Sequence, residues 1–175
     1  TGEDRKELYR LREKYAKEGR PASQLAYGCI LRDKEKAFYW LEQAARQGYA
    51  PAQYACGKMY QDGEGTEKNL EMAVSLYEKA ASQDHRWGQY ALGCMYEEGR
   101  GVPVDFFKAL SLYGKAAKQG HGEAKARLDW LGFRMQEKDK LDAVCILLCS
   151  DIKFIRMVTR QHLEALGIRQ IHEPA

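Results

Sequence analysis

The sequence has no long apolar run and no excess of charge of one sign. The longest uninterrupted apolar stretch, Ala143–Cys149, is far shorter than the roughly 18 residues that a membrane-spanning helix needs. The 28 basic and 25 acidic residues nearly balance and leave a net charge of +3. They are intermingled, as in Glu3–Arg20, whereas nucleic-acid-binding domains carry a basic patch. The sequence therefore predicts neither membrane insertion nor nucleic-acid binding.

The cysteines show no pattern of disulfide pairing. They are Cys29, Cys56, Cys94, Cys145 and Cys149, and an odd number leaves at least one thiol unpaired. Unpaired thiols are typical of reducing compartments. The first residues, Thr1–Asp4, are neither basic nor apolar, so no export signal is visible, although a cleaved signal would leave the same start. We expect a cytoplasmic location.

Catalytic and metal-binding patterns are also missing. No Ser–His–Asp set, carboxylate pair or metal motif has the spacing that its chemistry needs. Cys145 and Cys149 share a helix face and could bind zinc together with His162 or His172. The neighbouring Ile146–Leu148 favour two buried apolar thiols instead. We therefore expect no enzyme activity, no cofactor and no metal.

What the sequence does contain is a segment repeated at an offset of 36 residues. The copies agree in alanine pairs, tyrosines and glycines: Ala44–Ala45, Ala80–Ala81 and Ala116–Ala117; Tyr60 and Tyr96; Gly63 and Gly99; Gly65 and Gly101. Matches of this number at one offset indicate duplication of a structural unit. Each unit has two runs with apolar residues at helical spacing. Two helices of about 12 residues cannot bury an apolar face alone, so the units must stack.

The repeats divide the chain into an array over residues 1–133 and a tail. A partial unit at 3–19 precedes units at about 21–48, 50–84 and 86–120, and a degenerate half-unit follows at 121–135. In the half-unit, Arg127 and Asp129 replace the alanine and glycine of the earlier copies. Residues 136–175 show no relation to the repeat. They are predicted to form a helical cap and tail, because stacked arrays need a cover at their ends.

Residues at the turns of each unit carry two further expectations. Gly63 and Gly65 are expected to supply the positive backbone angles that turn the chain back. A phosphate-cradling loop is the alternative, but no Lys-Ser/Thr follows the glycines and no strand precedes them. His85 and His121 occupy equal positions at unit junctions. We expect them to be solvated turn residues and not a catalytic pair.

The repeated residues resemble the Sel1-like repeat family. Two near-complete copies carry the resemblance: one contains Ala55-x-Gly57-x-x-Tyr60-x-x-Gly63-x-Gly65 and Ala80-Ala81, the other Ala91-Leu92-Gly93 and Ala116-Ala117. Asp84 departs from the pattern by replacing a terminal glycine. The resemblance implies an all-α fold, a right-handed α-solenoid of two-helix repeats related to tetratricopeptide arrays. Members are mostly adaptors in protein complexes, and the exported branch has paired cysteines that this chain lacks.

The resemblance predicts a non-enzymatic adaptor or regulatory module that binds another protein or a peptide. In this family the first helices line the concave face, where polar and aromatic side chains are the candidate contacts: Gln53, Lys58, Gln61, Gln89, Tyr90 and Glu97. Most of the 11 tyrosines recur at repeat positions, so packing is their expected role. Two alternatives stay open: an immunity or accessory protein of a bacterial secretion system that neutralises a cognate toxin, and a regulatory domain of a larger enzyme. The sequence specifies neither the partner nor the oligomeric state.

Overall fold

The computed structural model describes residues 2–134, and all regular secondary structure in this part of the chain is helical. The helices are α1 (Gly2–Lys17), α2 (Pro21–Gly28), α3 (Lys34–Arg46), α4 (Ala50–Asp62), α5 (Leu70–Ser82), α6 (Arg86–Glu98), α7 (Phe106–Lys118) and α8 (122–134). None of the helices among these residues is long and apolar enough to cross a membrane. The predicted all-α repeat fold is confirmed.

The helices form three two-helix repeats, α2–α3, α4–α5 and α6–α7. Each helix from α1 to α7 packs on the next one along the chain. The first helices of successive repeats, α2 with α4 and α4 with α6, also lie closer together than the second helices do. A stack in which one set of helices is closer together curves towards that set. The first helices therefore line the inner side of the array.

Local sequence signals set the helix ends. Asn69 caps α5, where its side chain accepts a hydrogen bond from the Met72 N–H at 2.9 Å. Gly63 ends α4 in the left-handed conformation with φ 75°, and Gly65 has φ 70°. A Cβ atom at Gly65 would overlap the Lys34 carbonyl. The second loop glycine thus lets the loop rest on the start of α3 in the preceding repeat.

Glycines also bring the two helices of a repeat together. A Cβ atom at Gly57 would lie 2.6 Å from the ring of Tyr77, and one at Gly93 would lie 2.6 Å from the ring of Tyr113. Both rings are buried, with 1% and 0% of their surface exposed. Each ring therefore occupies the space that a side chain on the first helix would take.

The chain divides into two compact units, Thr1–Leu128 and Asp129–Ala175. The first contains the three repeats and the start of α8. Of the second, residues 129–134 are described, and in them the Arg134 guanidinium lies 4.8 Å from the centre of the Trp130 ring. The predicted cap at 136–175, with its two cysteines, lies outside the described residues. The division of the chain at residue 133 stays a prediction.

Replacing Gly93 with alanine is expected to destabilise the protein. The added methyl group would lie 2.6 Å from the Tyr113 ring, and overpacking of a filled core is destabilising by about 1 to 3 kcal/mol. Gly114→Ala in α7 is the matched control, because nothing lies within 4 Å of its added methyl group. Alanine there is expected to stabilise the helix by about 0.5 to 1 kcal/mol. The Tm of each variant is measured by thermal unfolding, followed by circular dichroism. If the Tm of Gly93→Ala is at or above the wild-type value, this packing is contradicted.

Candidate functional site

The first helices carry a row of aromatic side chains on one side, which we call the open side. Trp87 is 40% exposed, and Tyr54 and Tyr90 are half-buried. His85 precedes α6 and His121 precedes α8, and both rings lie against members of this row. We call these five side chains the aromatic strip.

The aromatic strip runs without a break from one repeat to the next. The Tyr54 ring lies 5.6 Å from His85 and 6.5 Å from Trp87. His121 lies 4.2 Å from Trp87 and stacks on Tyr90 at 4.5 Å. Aromatic rings at such separations attract one another beyond the effect of burial alone. The strip is therefore a connected row of rings and not a set of isolated side chains.

The aromatic strip lies on the inner side of the array. Burial, followed by the charge of Glu123, raises the pKa of Tyr54. Glu123 lies in the first turn of α8, two repeats further along the chain than α4. The ring contacts of Tyr54 with Trp87 and of Tyr90 with His121 join successive first helices, which lie closer together than the second helices do. This arrangement is the one that a curved stack of first helices produces.

The two histidines cap helices. Nδ1 of His85 accepts a hydrogen bond from the Gly88 N–H, and Nδ1 of His121 accepts one from the Ala124 N–H, both at 3.2 Å. His121 is only 4% exposed. The expectation of a solvated turn is wrong for His121, because Trp87 and Tyr90 cover its imidazole, whereas His85 is half-buried.

A charged group next to the aromatic strip distinguishes the third repeat from the second. The Tyr113 hydroxyl donates to Glu97 Oε2 at 2.6 Å, and Arg127 Nη1 donates to Glu97 Oε1 at 3.1 Å. In the second repeat the Tyr77 hydroxyl donates to Gln61 Oε1 at 3.1 Å. Glu97 thus occupies the position of Gln61, and Arg127 balances the added charge. The start of α8 complements the third repeat, although its sequence departs from the repeat pattern.

Cys94 and Lys58 share one repeat position on the open side of the first helices. Lys58 is exposed and Cys94 is half-buried. Burial raises the pKa of the Cys94 thiol, so the thiol stays protonated near neutral pH and is a weak nucleophile. Within residues 2–134, no group of three or more His, Cys, Asp or Glu side chains is placed to hold a metal ion.

Each complete repeat also contains a pair of glutamines, of which the first is buried and the second is exposed. The pairs are Gln24 with Gln47, Gln53 with Gln83, and Gln89 with Gln119, each joined by an amide hydrogen bond of 2.8 Å. The first glutamine of each pair also donates to a carbonyl of the preceding second helix, at 3.4 to 3.5 Å. Satisfied hydrogen bonds allow such polar groups to be buried. The glutamine pairs therefore tie each repeat to the one before it.

The structure separates the six predicted contact residues into two groups. Lys58, Gln61, Tyr90 and Glu97 lie with the aromatic strip on the open side of α4 and α6. The other two, Gln53 and Gln89, are 4% and 0% exposed and belong to the glutamine pairs.

The sequence analysis missed three residues of this face, Tyr54, Trp87 and Arg127. Tyr54 recurs at the Tyr90 position, and a recurring tyrosine indicated packing. Trp87 has no aromatic counterpart in the other repeats, and Arg127 stands in a degenerate copy. For Trp87 and Arg127, the departure from the repeat pattern was the signal in the sequence that could have identified them.

The matches to known proteins have the same repeat boundaries as the helices. The profile described as Sel1 repeat matches residues 23–49, 50–85 and 88–121, which together make up more than half of the chain. The chain belongs to the Sel1 repeat family. Proteins of this family are generally modules for protein–protein interaction and typically non-catalytic scaffolds. A search of curated proteins finds no significant match.

Three solved bacterial structures resemble this Sel1 repeat protein. A Sel1 repeat protein from Oxalobacter formigenes has a TM-score of 0.61 and 34% identity, over 67% of this chain and 94% of that chain. The protective antigen c5321 of uropathogenic Escherichia coli has a TM-score of 0.64 and 24% identity, over 91% of this chain and 33% of that chain. Helicobacter pylori cysteine rich protein B has a TM-score of 0.57 and 24% identity, over 70% of this chain and 93% of that chain. At 24% identity the last two share the fold alone.

Removing the cation that balances Glu97 is expected to destabilise this Sel1 repeat protein. Arg127→Ala leaves a carboxylate of which only 9% is exposed with no positive partner, and loss of a hydrogen bond to a charged group is destabilising by about 1.5 to 3 kcal/mol. The double variant Glu97→Gln/Arg127→Ala recreates the Gln61–Tyr77 arrangement of the second repeat. It is expected to regain most of the lost stability in urea denaturation. Additive losses in the double variant would show that the two side chains are not coupled.

Proposed function

We propose that this Sel1 repeat protein is a non-enzymatic adaptor or regulatory module that binds another protein or a peptide along the aromatic strip. The observation that carries the proposal is the row of partly exposed rings on the inner side of the first helices, in which Trp87 keeps 40% of its surface open. Trp and Tyr are enriched among the residues that dominate protein–protein binding energy. They supply a large contact area and lose little conformational entropy on binding.

Polar groups beside the aromatic strip support the same function. Lys58 is exposed on α4, and Gln61 lies one turn further along the same face. Glu97 is held by Tyr113 and Arg127 and is therefore fixed in position. Protein interfaces combine apolar and aromatic cores with polar rims of this kind. Gln53 and Gln89 are not part of the proposed surface, because their amides hold the repeats together.

The titratable groups beside the strip favour binding over catalysis. Burial raises the pKa of Cys94 and lowers the pKa of His121. A protonated thiol is a poor nucleophile, and Nδ1 of His121 is already occupied by the Ala124 N–H. The described groups are thus arranged for packing and recognition and leave no free acid–base pair.

A capture experiment tests the proposed surface. It compares the wild-type protein with the variants Trp87→Ala and Phe107→Ala. Phe107 is the matched control, since it is an aromatic residue on the second helix α7 with 75% of its surface exposed. Extract of the native cell is passed over each immobilised protein, and bound proteins are quantified by mass spectrometry. We expect Trp87→Ala to retain at least about tenfold less of a specific partner, which corresponds to about 1.4 kcal/mol, and Phe107→Ala to retain it.

The opposite pattern, loss with Phe107→Ala and retention with Trp87→Ala, would place the binding surface on the second helices and contradict the proposal. The identity of the captured protein separates the alternatives that the sequence left open. A toxin supports an immunity or accessory role, and an enzyme subunit supports a regulatory domain. A structural or signalling complex supports the adaptor role.

A further inference from the structure

His85 and His121 use the same ring nitrogen in the same way. Nδ1 of each accepts a backbone hydrogen bond at the start of a first helix, from Gly88 in α6 and from Ala124 in α8. An imidazole nitrogen accepts a hydrogen bond only when it carries no proton. Both caps therefore require a neutral imidazole with its proton on Nε2.

The surroundings of His121 offer no acceptor to either N–H group of a protonated ring, because Nδ1 faces the Ala124 N–H. Its Nε2 is buried and has no hydrogen-bond partner among the described residues. The ring stacks on Tyr90 and meets Trp87 at an interplanar angle of 71°. A cation in this position would lack both water and an acceptor, which strongly disfavours it.

We infer that His85 and His121 form an acid-sensitive switch in the inner face of the array. Protonation removes the caps of α6 and α8, because Nδ1 then carries a proton that opposes the backbone N–H groups. It also places a charge among the rings that His121 joins. The aromatic strip is therefore assembled while both imidazoles are neutral and is loosened in acid, whether or not a partner is bound.

The charges around the two rings determine how readily each imidazole takes up a proton. Arg86 of α6 lies near both histidines and opposes a positive charge on either. Glu123 of α8 acts on His121 in the opposite sense. Tyr54 and Tyr90, which face the rings, are uncharged near neutral pH. The positive ends of the α6 and α8 dipoles add to the effect of Arg86.

The direction of the pH effect follows from the folded state. Burial is the main cause that lowers the pKa of His85 and of His121. An unfolded chain has the ordinary histidine pKa of about 6.5 and binds more protons than the folded chain just below that pH. The contribution of the two caps is thus fully present above about pH 6.5 and is lost as the pH falls below it.

Thermal unfolding at about pH 7.5 and about pH 5.5 tests the switch in the wild type, His85→Asn, His121→Asn and the double variant. Asparagine keeps an oxygen for the cap and does not titrate. We expect the wild type to lose Tm between the two pH values, by about 4 °C for each cap. Each single variant is expected to lose less, and the double variant least.

The remaining histidines of the chain provide the control. His162 and His172 lie outside the described residues. The variant His162→Asn/His172→Asn is expected to keep the wild-type loss of Tm. If this control abolishes the loss, or if the double variant of His85 and His121 retains it in full, the inference is overturned.

A second measurement does not depend on the variants folding. Long-range ¹H–¹⁵N NMR spectra of the wild type show which nitrogen of each histidine carries the proton. We expect unprotonated Nδ1 at His85 and His121 at neutral pH, with titration midpoints below about 6.5. Protonated Nδ1 at either residue in the neutral form would exclude the cap on which the switch depends.

Discussion

The contact between a tyrosine ring and a glycine sets the spacing of the two helices in each full-length repeat. Tyr77 fills the space beside Gly57, and Tyr113 fills the space beside Gly93. Because the ring lies across the first helix, its hydroxyl reaches a polar side chain near the end of that helix, Gln61 in the second repeat. One packing contact thus fixes both the core of the repeat and a polar group of its inner face.

A regular framework carries an inner face that differs from repeat to repeat. The glutamine pairs recur with the same geometry in all three repeats, and the glycine loops do so in the second and third. The open side of the first helices varies: Lys58 is replaced by Cys94, and Gln61 is replaced by Glu97, which pairs with Arg127. Because the framework does not change, these differences alter the surface without altering the fold. This division of roles is suited to specific recognition by a repeat protein.

The sequence predicted the fold well because its signals are local. Gly63 and Asn69 end and begin helices through their own backbone and side-chain preferences, independently of distant residues. The candidate contact surface was harder to predict, since a polar residue on a first helix has two available roles. Gln53 is buried and forms a hydrogen bond with the amide of Gln83, 30 positions away, whereas Lys58 is exposed one turn later. Periodicity marks both as polar and cannot show which one has a buried partner.

The sequence by itself determined the length of the repeat, the order of the helices and the positions of their ends, because a duplicated pattern and local backbone preferences are visible without a partner. The tertiary structure decided which side chains face the inner side. Arg127 and Glu97 are 30 residues apart, and the stack of His121 on Tyr90 joins the starts of two successive first helices. Such contacts depend on how the helices are rotated against one another. Close packing fixes that rotation only when all the neighbouring repeats are in place.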